Sequence, residues 1–436
     1  MSTQPSARPP DAAPSAWRHA LFVAYHYPPE ASSSGVLRTL KYTQYLQRFG
    51  WRVSVLTVRE AAYSHVDASL QAQIPPDVRV IRTASLDSKR HLSIAGRYPS
   101  VLAIPDRWVW WAPWALAAGA RLFREDPFQL IYSSSPHATA HLIAGRLSGR
   151  CGLPWVADFR DPWYEEPPEP DTTAIVHWAA RHLERWAVHK ARKVTTSTPE
   201  LADQLAARYP DCPGDKFRAI VNGYDEADFS ELPYRSGDSG RFRMLHAGAI
   251  NPAFRDPRPL FRALRRLIDE GAADPRELHL QFLGPGDFGQ SEALADAVRQ
   301  TGLQQVVEFL PRIPYAQSLQ ALRDADLLLL LQASEDTRSL VPAKLYEYLR
   351  AQRPVLALVL PGACDRLLDQ TGGGWSVSPQ DEQALAAALG AALAKWRSGN
   401  LDSTHADLAT LRRYSRERLT GQLAAVFDQV SADATA

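Results

Sequence analysis

The sequence predicts an α/β protein with two Rossmann-like, doubly wound domains, because three observations point the same way. Short apolar runs alternate with amphipathic helical segments along most of the 436 residues. Some runs, such as Leu327–Leu331, are apolar throughout, as expected of parallel strands buried on both faces. The alternation is interrupted at residues 231–240, which have no periodicity and many turn-forming residues. Two successive βα series therefore predict two parallel sheets.

The predicted domains follow from this interruption. Residues 1–17 are expected to be a disordered tail, 18–230 the N-terminal domain, 231–240 the linker, 241–409 the C-terminal domain and 410–436 a C-terminal helical segment. The predicted strands are His19–Tyr25, Arg52–Val58, Val78–Arg82, Gln129–Ser133, Pro154–Phe159, Lys193–Ser197 and Phe217–Val221 in the first series, and Phe242–Ala247, Leu278–Leu283, Val306–Leu310, Asp326–Leu331 and Val355–Leu360 in the second.

The first helix shows how each unit is recognised. It follows the small-residue loop Ala31–Gly35, and its residues Tyr42, Tyr45 and Phe49 recur at helical spacing on one face. Gly50 is a suitable terminator, because glycine adopts the left-handed conformation that ends many helices.

Composition limits the function classes. Lys and Arg total 49 against 48 Asp and Glu, so no overall field would recruit nucleic acid. Three widely separated cysteines have neither metal-ligand spacing nor the even count of a disulfide framework. Residues 1–16 lack the apolar core of a signal peptide. A cytoplasmic protein is expected.

A tryptophan-rich stretch begins at Trp108 and includes Trp110, Trp111 and Trp114. The apolar run ends at Ala120, which is too short for the roughly 20 residues that span a bilayer. The stretch is expected to be a helix packed in the core or lining a cleft. The alternative is peripheral contact with a membrane through Trp108–Trp114, since indole rings favour the lipid interface.

Residues 334–349 form the candidate anion site. A loop after strand Leu327–Leu331 leads into a helix, for which Ser339 is the expected N-cap and Pro342 a first-turn residue. Free amides and the helix dipole would attract a phosphate, with Arg338 and Lys344 adding charge. Glu347, one turn further, would accept hydrogen bonds from hydroxyls such as those of a ribose. The alternative is an ordinary α/β helix whose charges face water.

Two strand ends in the first half also carry candidate residues. His137 lies where a strand passes into a helix, at the edge where open α/β sheets bind ligands. His141 follows four residues later, but Ala138 replaces the Glu of a zinc-protease motif, so no metal is expected. At another strand end, Arg160 and the neighbouring Asp161 and Trp163 either bind a sugar acceptor or brace their loop.

Several stretches together resemble the retaining family 4 glycosyltransferases of GT-B fold. They are Tyr25–Arg38, Ser134–His137, Ala157–Trp163, His246–Ala249, Phe282–Gly286 and Leu340–Leu356, which follow the order of the family and extend over nearly the whole chain. The resemblance implies a GT-B fold whose interdomain cleft is the active site and whose last helix crosses back to the N-terminal domain. It also implies transfer of a sugar from a nucleotide diphosphate sugar to a hydroxyl acceptor.

The resemblance gives the candidate residues their roles. The catalytic candidates are His137, Arg255 and Lys344; the donor-binding candidates are Gly248, Arg255, Arg312, Ile313, Leu340, Val341, Lys344 and Glu347; and the acceptor-side candidates are Ser34, Gly35, Arg160, Asp161 and Trp163. No metal or cofactor is expected beyond the nucleotide sugar as co-substrate. Asp324-Ala-Asp326 matches the metal-binding Asp-x-Asp of another transferase fold, but it directly precedes a strand and is expected to cap it.

Two departures from the family pattern leave other functions open. Ser339 occupies the place of a Glu that family members usually carry, and Ala249 the place of an Arg. A non-catalytic nucleotide-sugar-binding or scaffold protein is one alternative, and a GT-B epimerase or phosphorylase is another. As a transferase, the protein is expected to act on a glycan or lipid-linked acceptor in bacterial polysaccharide or glycolipid synthesis, in the cytoplasm or at the inner face of the membrane.

Overall fold

The computed structural model describes residues 17–31, 35–93, 97–164, 172–233 and 240–435. The chain forms two compact units, residues 1–221 with 419–436, and residues 222–418. Residues 222–230 and 410–418 therefore belong to the second unit, which differs from the predicted boundaries. The predicted tail lies almost wholly outside the described residues, as do positions 234–239 of the predicted linker.

Within the described part of the first unit, seven parallel strands form a sheet of order β3-β2-β1-β4-β5-β6-β7. The strands are β1 (Arg18–Ala24), β2 (Trp51–Val58), β3 (Arg79–Thr83), β4 (Leu130–Ser134), β5 (Trp155–Phe159), β6 (Lys193–Thr196) and β7 (Phe217–Ala219). The helices are α1 (Gly35–Tyr45), α2 (Ala68–Gln71), α3 (Ser88–His91), α4 (Ala112–Glu125), α5 (Ala138–Cys151), α6 (Ala174–Lys190) and α7 (Pro199–Arg208). All seven predicted strands of this series are confirmed within a few residues.

Side chains on the two faces of this sheet enter separate cores. Leu21 and Val23 of β1 lie in one core, while Ala20 and Phe22 lie in the other. Both faces are therefore covered, as the apolar runs predict. The predicted stop after the first helix is also confirmed, because Gly50 has the left-handed φ of 78°.

Helix α16 (Arg416–Thr435) completes the second face of the first sheet. Leu419, Leu423, Phe427 and Val430 of this helix are buried in the core that contains Phe22. The indole Nε1 of Trp51 donates a hydrogen bond of 2.8 Å to Asp428. The last residues of the chain are thus part of the first unit.

In the second unit, the described residues contain a six-stranded parallel sheet of order β10-β9-β8-β11-β12-β13. Its strands are β8 (Phe242–Ala247), β9 (Leu278–Leu283), β10 (Val307–Leu310), β11 (Leu327–Gln332), β12 (Val355–Val359) and β13 (Gly374–Val377). Its helices are α8 (Ala227–Ser230), α9 (Arg258–Asp269), α10 (Glu292–Gln300), α11 (Tyr315–Asp324), α12 (Ala343–Arg350), α13 (Ala363–Thr371), α14 (Glu382–Arg397) and α15 (Leu408–Leu411). The sequence pattern did not predict β13 or α13.

The central strand β11 shows why this unit has two apolar layers. Leu327, Leu329 and Leu331 enter one core, and Leu328 and Leu330 enter the other. A strand between two helical layers has no solvent-facing side, which explains its uninterrupted leucine run. The carboxyl ends of β8 to β11 consequently lie at one edge of the sheet, where the candidate donor-side residues follow.

Candidate functional site

The helix of the predicted anion site begins later than expected. Pro342 is the residue before α12, and Ala343 is its first residue. Ser339 is therefore not the N-cap, which corrects the prediction. The preceding chain forms a short 3₁₀ turn, Glu335–Thr337, instead of a longer helix.

Lys344 reaches across to the end of β8. Its Nζ donates a hydrogen bond of 2.6 Å to the carbonyl oxygen of Ala247. A Cβ atom on Gly248 would lie 2.6 Å from that Nζ, and Gly248 has a φ of 109°. Both the backbone conformation and the close approach of the ammonium group thus require glycine here.

Arg255 is the second cation of this site. It follows the same strand, and its guanidinium lies 4.9 Å from the ring centroid of Phe254. Burial lowers its pKa. Burial, and then the positive charge of Arg255, lower the pKa of Lys344 from 10.5 to about 7. No carboxylate of the described residues lies within ion-pair distance of either cation, so the pair has positive charge available for an anion.

Glu347 lies one turn after Lys344 and is held by a tyrosine. The hydroxyl of Tyr315 donates a hydrogen bond of 2.9 Å to its carboxylate. Burial raises the pKa of Glu347 to about 7, although the Tyr315 bond and the charge of Arg416 act in the opposite direction. Sequence reasoning missed Tyr315, since a tyrosine at the start of a helix gives no sign of a partner 32 residues away.

Tyr348 is a further residue that the sequence did not single out. The amide of Ala247 donates a hydrogen bond of 2.8 Å to its hydroxyl oxygen. Lys344 and Tyr348 therefore both hold the end of β8, one through the carbonyl and the other through the amide of the same residue. This arrangement fixes the loop that carries Gly248.

The remaining donor-side candidates differ in their surroundings. Arg312 is exposed, and its Cα lies 3.6 Å from the position that a Cβ on Gly284 would occupy; Gly284 has a φ of 64°. Ile313 packs against the apolar core. The amide of Leu340 donates to the carbonyl of Thr337 at 3.1 Å. It is therefore not available to a phosphate, which corrects the prediction that this amide is free. Val341 is buried in the core.

Two further charged residues, at opposite ends of β11, have structural partners. Arg338, which was expected to add charge for an anion, donates instead to the carbonyl of Pro361 at 3.0 Å and pairs with Glu335 at 2.9 Å. The carboxylate of Asp326 accepts the amide of Arg243 at 2.8 Å, which ties the start of β11 to β8. The prediction that Asp326 caps its strand is confirmed.

A separate group in the first unit has the donor set of a metal site. Among the described residues, ligand atoms of His189, Asp211 and Cys212 lie within 4.8 Å of one another. Arg185, however, pairs with the same Asp211 oxygen that faces His189, at 3.1 Å. A cation already neutralises this carboxylate, and a dication would be repelled by the guanidinium.

His137 lies in an aromatic cluster at the carboxyl ends of β1 and β4. Its ring stacks on Trp108 with centroids 3.7 Å apart and meets His26 edge-on at 4.7 Å. The Nε2 of His137 and the Nδ1 of His26 are buried and have no hydrogen-bond partner among the described residues. Burial, and then His26, hold the pKa of His137 well below its usual value, so the ring is neutral at pH 7. A hydroxylated ligand could supply the missing partners.

Asp106 links Trp108, which belongs to the aromatic cluster around His137, to the start of helix α5. Its carboxylate accepts hydrogen bonds from the amide of Thr139 at 2.8 Å and from the amide of Trp108 at 2.9 Å. Burial raises the pKa of Asp106, while these bonds lower it. Neither Asp106 nor Trp108 was among the predicted site residues, because their proximity to His137 depends on the tertiary fold.

The remaining tryptophans of this stretch differ in how far they are exposed to solvent. Trp111 is fully buried and donates from Nε1 to Thr83 at 2.8 Å, and Trp110 donates to the carbonyl of Leu102 at 3.0 Å. Trp114 alone is strongly exposed, at 41%. The expected packing in the core is thus confirmed for Trp111, and the four indoles do not form one exposed surface for a membrane. No helix in the described ranges is long and apolar enough to cross a bilayer.

The acceptor-side candidates form one close contact. A Cβ on Gly35 would lie 1.7 Å from Nη1 of Arg160, so the guanidinium occupies the space that glycine leaves. The amide of Arg160 donates to the Ser135 hydroxyl at 2.7 Å, and its guanidinium donates to the Ser135 carbonyl at 3.2 Å. Asp161 is exposed. Ser34 lies outside the described residues.

Trp163 packs against two other rings of the first unit. Its ring stacks on Phe159 at 5.1 Å and on His141 at 5.3 Å, and its amide donates to the buried Glu184. The indole packs within the unit through these contacts, and its acceptor-side role stays a prediction. His141 is fully buried, as expected for a packed histidine.

A buried ion pair joins two of the stretches that carry the resemblance. Arg38 binds Asp158 bidentately, at 2.9 and 2.8 Å, and both side chains are almost fully buried. Hydroxyls of Ser134 and Thr195 complete the carboxylate's partners at 3.0 and 2.8 Å. Burial alone would raise the pKa of Asp158, but Arg38 lowers it to about 2. The role of this pair is to hold α1 against the centre of the sheet.

Comparison with protein families assigns both halves of the chain. Residues 35–223 match the family described as Glycosyl transferase 4-like domain, and residues 241–395 match Glycosyl transferases group 1. The chain carries two glycosyltransferase domains. Within this pair of domains, the Arg255 and Lys344 site lies in the second and the His137 cluster in the first.

A curated relative and solved structures agree with this assignment. The chain is 32% identical over 109 residues to "Probable glycosyltransferase WbjE" of Pseudomonas aeruginosa, a match that covers 24% of this chain and only 26% of that protein. Anabaena HepE in complex with UDP is 17% identical with a TM-score of 0.65, and the match covers 94% of this chain and 99% of HepE. Sucrose-phosphate synthase of Thermosynechococcus elongatus gives 15% identity, a TM-score of 0.66, and coverage of 95% and 100%. The two glycosyltransferase domains thus have the GT-B fold.

Proposed function

We propose that the protein is a retaining glycosyltransferase that moves a hexosyl group from a nucleotide diphosphate sugar to a hydroxyl acceptor. The observation that carries this proposal is the pair of cations, Arg255 and Lys344, held beside Gly248 without a carboxylate partner in the described residues. The diphosphate of a nucleotide sugar would provide the negative counter-charge for these two cations. Solved structures of HepE with UDP and with UDP-glucose support the same ligand class for this chain.

The two cations would act on the leaving group. As the bond between sugar and phosphate breaks, negative charge develops on the diphosphate, and Arg255 and Lys344 stabilise it. Because Lys344 is anchored to the Ala247 carbonyl, its Nζ is positioned before the substrate arrives. Loss of one such preorganised group typically reduces turnover by about 10²–10³.

Glu347 would bind the ribose of the donor. Its carboxylate is oriented by Tyr315, and Glu347 lies one helical turn from Lys344, so one donor molecule could contact both residues. Arg312 and Ile313, after β10, would contact the base. These roles extend the family resemblance residue by residue.

The His137 cluster is proposed as the sugar-binding part of the first domain. Trp108 provides an aromatic surface, and the nitrogens of His137 and His26 that lack a partner in the described part of the chain can hydrogen-bond hydroxyls. Because His137 is neutral at pH 7, it would orient a hydroxyl without charging the site. Gly35 and Arg160 would contribute to the acceptor side.

The reaction is proposed to retain the anomeric configuration through attack on the same face as the departing phosphate, which accepts the proton. We propose metal-independent transfer with no cofactor beyond the nucleotide sugar. A bacterial polysaccharide or glycolipid is the proposed product, supported by likeness to a solved lipopolysaccharide outer core galactosyltransferase, WaaB, at a TM-score of 0.58. The proposed location is the cytoplasm.

A ligand screen followed by a turnover assay tests the proposal. UDP, GDP, ADP, dTDP and CMP, with their common sugars, are compared by thermal shift, since a ligand at about 100 times its dissociation constant adds roughly 2.7 kcal/mol of stability. One nucleotide series should stabilise the protein, and Lys344→Ala should remove the shift while the exposed Lys89→Ala retains it. Acceptor mixtures should then release free nucleotide and a glycoside of retained configuration. Donor binding without any turnover would instead favour a non-catalytic role.

A further inference from the structure

The central strands β8 and β11 separate before they reach the carboxyl edge of the second sheet. In the described part of the chain, β8 pairs with β9 over six residues but with β11 over only two, Met244 and Leu245. The strand order also reverses between β8 and β11, since β9 and β10 lie on one side and β12 and β13 on the other. Open α/β sheets bind ligands in the crevice at such a point. The separation therefore lies where a ligand is expected.

Two side chains replace the next hydrogen bond between these strands. If the observed register continued, the amide of Ala247 would donate to the carbonyl of Leu329. Instead, this amide donates to the hydroxyl oxygen of Tyr348 at 2.8 Å. The carbonyl of Leu329 accepts a hydrogen bond of 2.8 Å from the Nδ1 of His246. Both backbone groups are thus satisfied although the strands do not pair here.

Tyr348 and His246 are both fully buried and uncharged. Burial, and then the charge of Lys344, hold the pKa of His246 well below its usual value, so the ring carries one proton. This proton is on Nδ1, because a carbonyl oxygen can only accept a hydrogen bond. Burial raises the pKa of Tyr348, which keeps its hydroxyl protonated. The two side chains therefore add hydrogen bonds to the anion site and no charge.

The same separation gives Lys344 its hydrogen-bond acceptor. In a continued pairing, the carbonyl of Ala247 would accept an amide of β11. It accepts the Nζ of Lys344 instead, at 2.6 Å. Lys344 and Tyr348 are four residues apart in α12, so they lie on one face of that helix. This helix face thus replaces β11 as the partner of Ala247, directly before Gly248.

We propose, on the basis of the function proposed above, that Tyr348 and His246 are positioning residues of the donor site. They keep β8 and β11 apart, so that Lys344 can hold the end of β8 and a diphosphate can bind beside it. A buried amide is costly to leave without a partner. Without the hydroxyl of Tyr348, the amide of Ala247 would be satisfied by renewed pairing with β11. That pairing would close the crevice and take the acceptor from Lys344.

Titrations of nucleoside diphosphates and of their nucleosides, followed by NMR of the ligand, test these two roles. UDP, GDP and ADP are compared with uridine, guanosine and adenosine. Tyr348→Phe should weaken binding of the diphosphate about ten-fold, the scale expected when a buried amide loses its partner, and should leave the affinity for the nucleoside unchanged. His246→Leu should act in the same way. His246→Asn should restore most of the affinity, because its side-chain amide can donate to the carbonyl of Leu329.

Tyr346→Phe is the matched control, because it changes a buried tyrosine of the same helix whose ring lies 5.2 Å from that of Tyr414. It should keep both affinities. Lys344→Ala removes the cation itself and should abolish the preference for the diphosphate over the nucleoside. Unchanged diphosphate affinity in Tyr348→Phe, or an equal loss for diphosphate and nucleoside, would overturn the positioning roles and leave the proposed function standing. An unaltered protein that binds none of the three diphosphates would refute the proposed function together with these roles.

Discussion

Raising the pH should weaken donor binding through Lys344. Its pKa is lowered from 10.5 to about 7 by burial and by Arg255, so about half of the free protein carries the charged ammonium at pH 7. A bound diphosphate would favour the charged form and raise this pKa. Binding is therefore linked to proton uptake above pH 7.

The size of the effect follows from this pKa. Between pH 7 and pH 9 the protonated fraction of a group with a pKa of about 7 falls about 50-fold, and the affinity should fall by the same factor if the bound pKa exceeds 9. Glu347, whose pKa is about 7, also ionises over this range. Its carboxylate form is the one that accepts the proposed ribose bonds, so its contribution opposes that of Lys344. His246 remains neutral, since burial lowers its pKa.

Isothermal titration with the nucleotide diphosphate sugar identified by the screen measures this dependence. Its pyrophosphate does not titrate in this range, so the phosphate groups of the ligand contribute nothing to the pH dependence. Lys344→Arg should flatten the profile because arginine stays charged. Glu347→Gln should remove only the part due to the carboxylate. A flat profile in Glu347→Gln, where Lys344 titrates without the carboxylate, or a slope that survives in Lys344→Arg with Glu347→Gln, would refute the assignment of the anion site.

Three further predictions concern single positions. Gly248→Ala should place a methyl group 2.6 Å from the Nζ of Lys344 and strain a φ of 109°. Donor affinity should fall at least ten-fold while the circular dichroism spectrum stays unchanged. Equal affinity would contradict the proposed close approach of Lys344 to Gly248. Asp158→Asn should leave a buried guanidinium without its counter-charge and cost about 3–5 kcal/mol of unfolding free energy. Urea denaturation measures this, with Arg79→Ala, an exposed ion pair worth roughly 1 kcal/mol or less, as control. His137→Ala should lower kcat with little change in donor affinity, whereas Glu347→Ala should weaken donor binding; the opposite pattern in titration and initial-rate assays would exchange their roles.

The strands were predictable from the sequence because parallel strands buried on both faces read as apolar runs. Strand β13 was missed because Gly374–Val377 is a short edge strand, only partly buried, and begins in a run of glycines. Position 374 requires glycine for a reason that no local pattern shows, because a Cβ there would lie 1.9 Å from the carbonyl oxygen of Val355. Tertiary contact, more than local propensity, decides such elements.

The candidate site was predictable in part for a similar reason. Lys344 and Glu347 share a helix, so their spacing alone places them together. The amide of Leu340 was expected to be free, but the 3₁₀ turn uses it, and Pro342 delays the start of the helix. Tyr315 and Trp108 reach their partners through long-range packing, which periodicity does not record.

The C-terminal helix has a consequence for biosynthesis. The core face that holds Phe22 and Trp51 is closed by Leu423 and Phe427, which leave the ribosome only after residues 222–418. At about 5–20 residues per second, the first sheet emerges roughly 10–40 s before the helix that covers it. During that interval the nascent chain exposes a large apolar surface, so the yield of folded protein in the cell should depend on chaperones that bind unfinished chains. A chain truncated before Leu419 should never cover this surface and should therefore keep needing chaperones after synthesis ends.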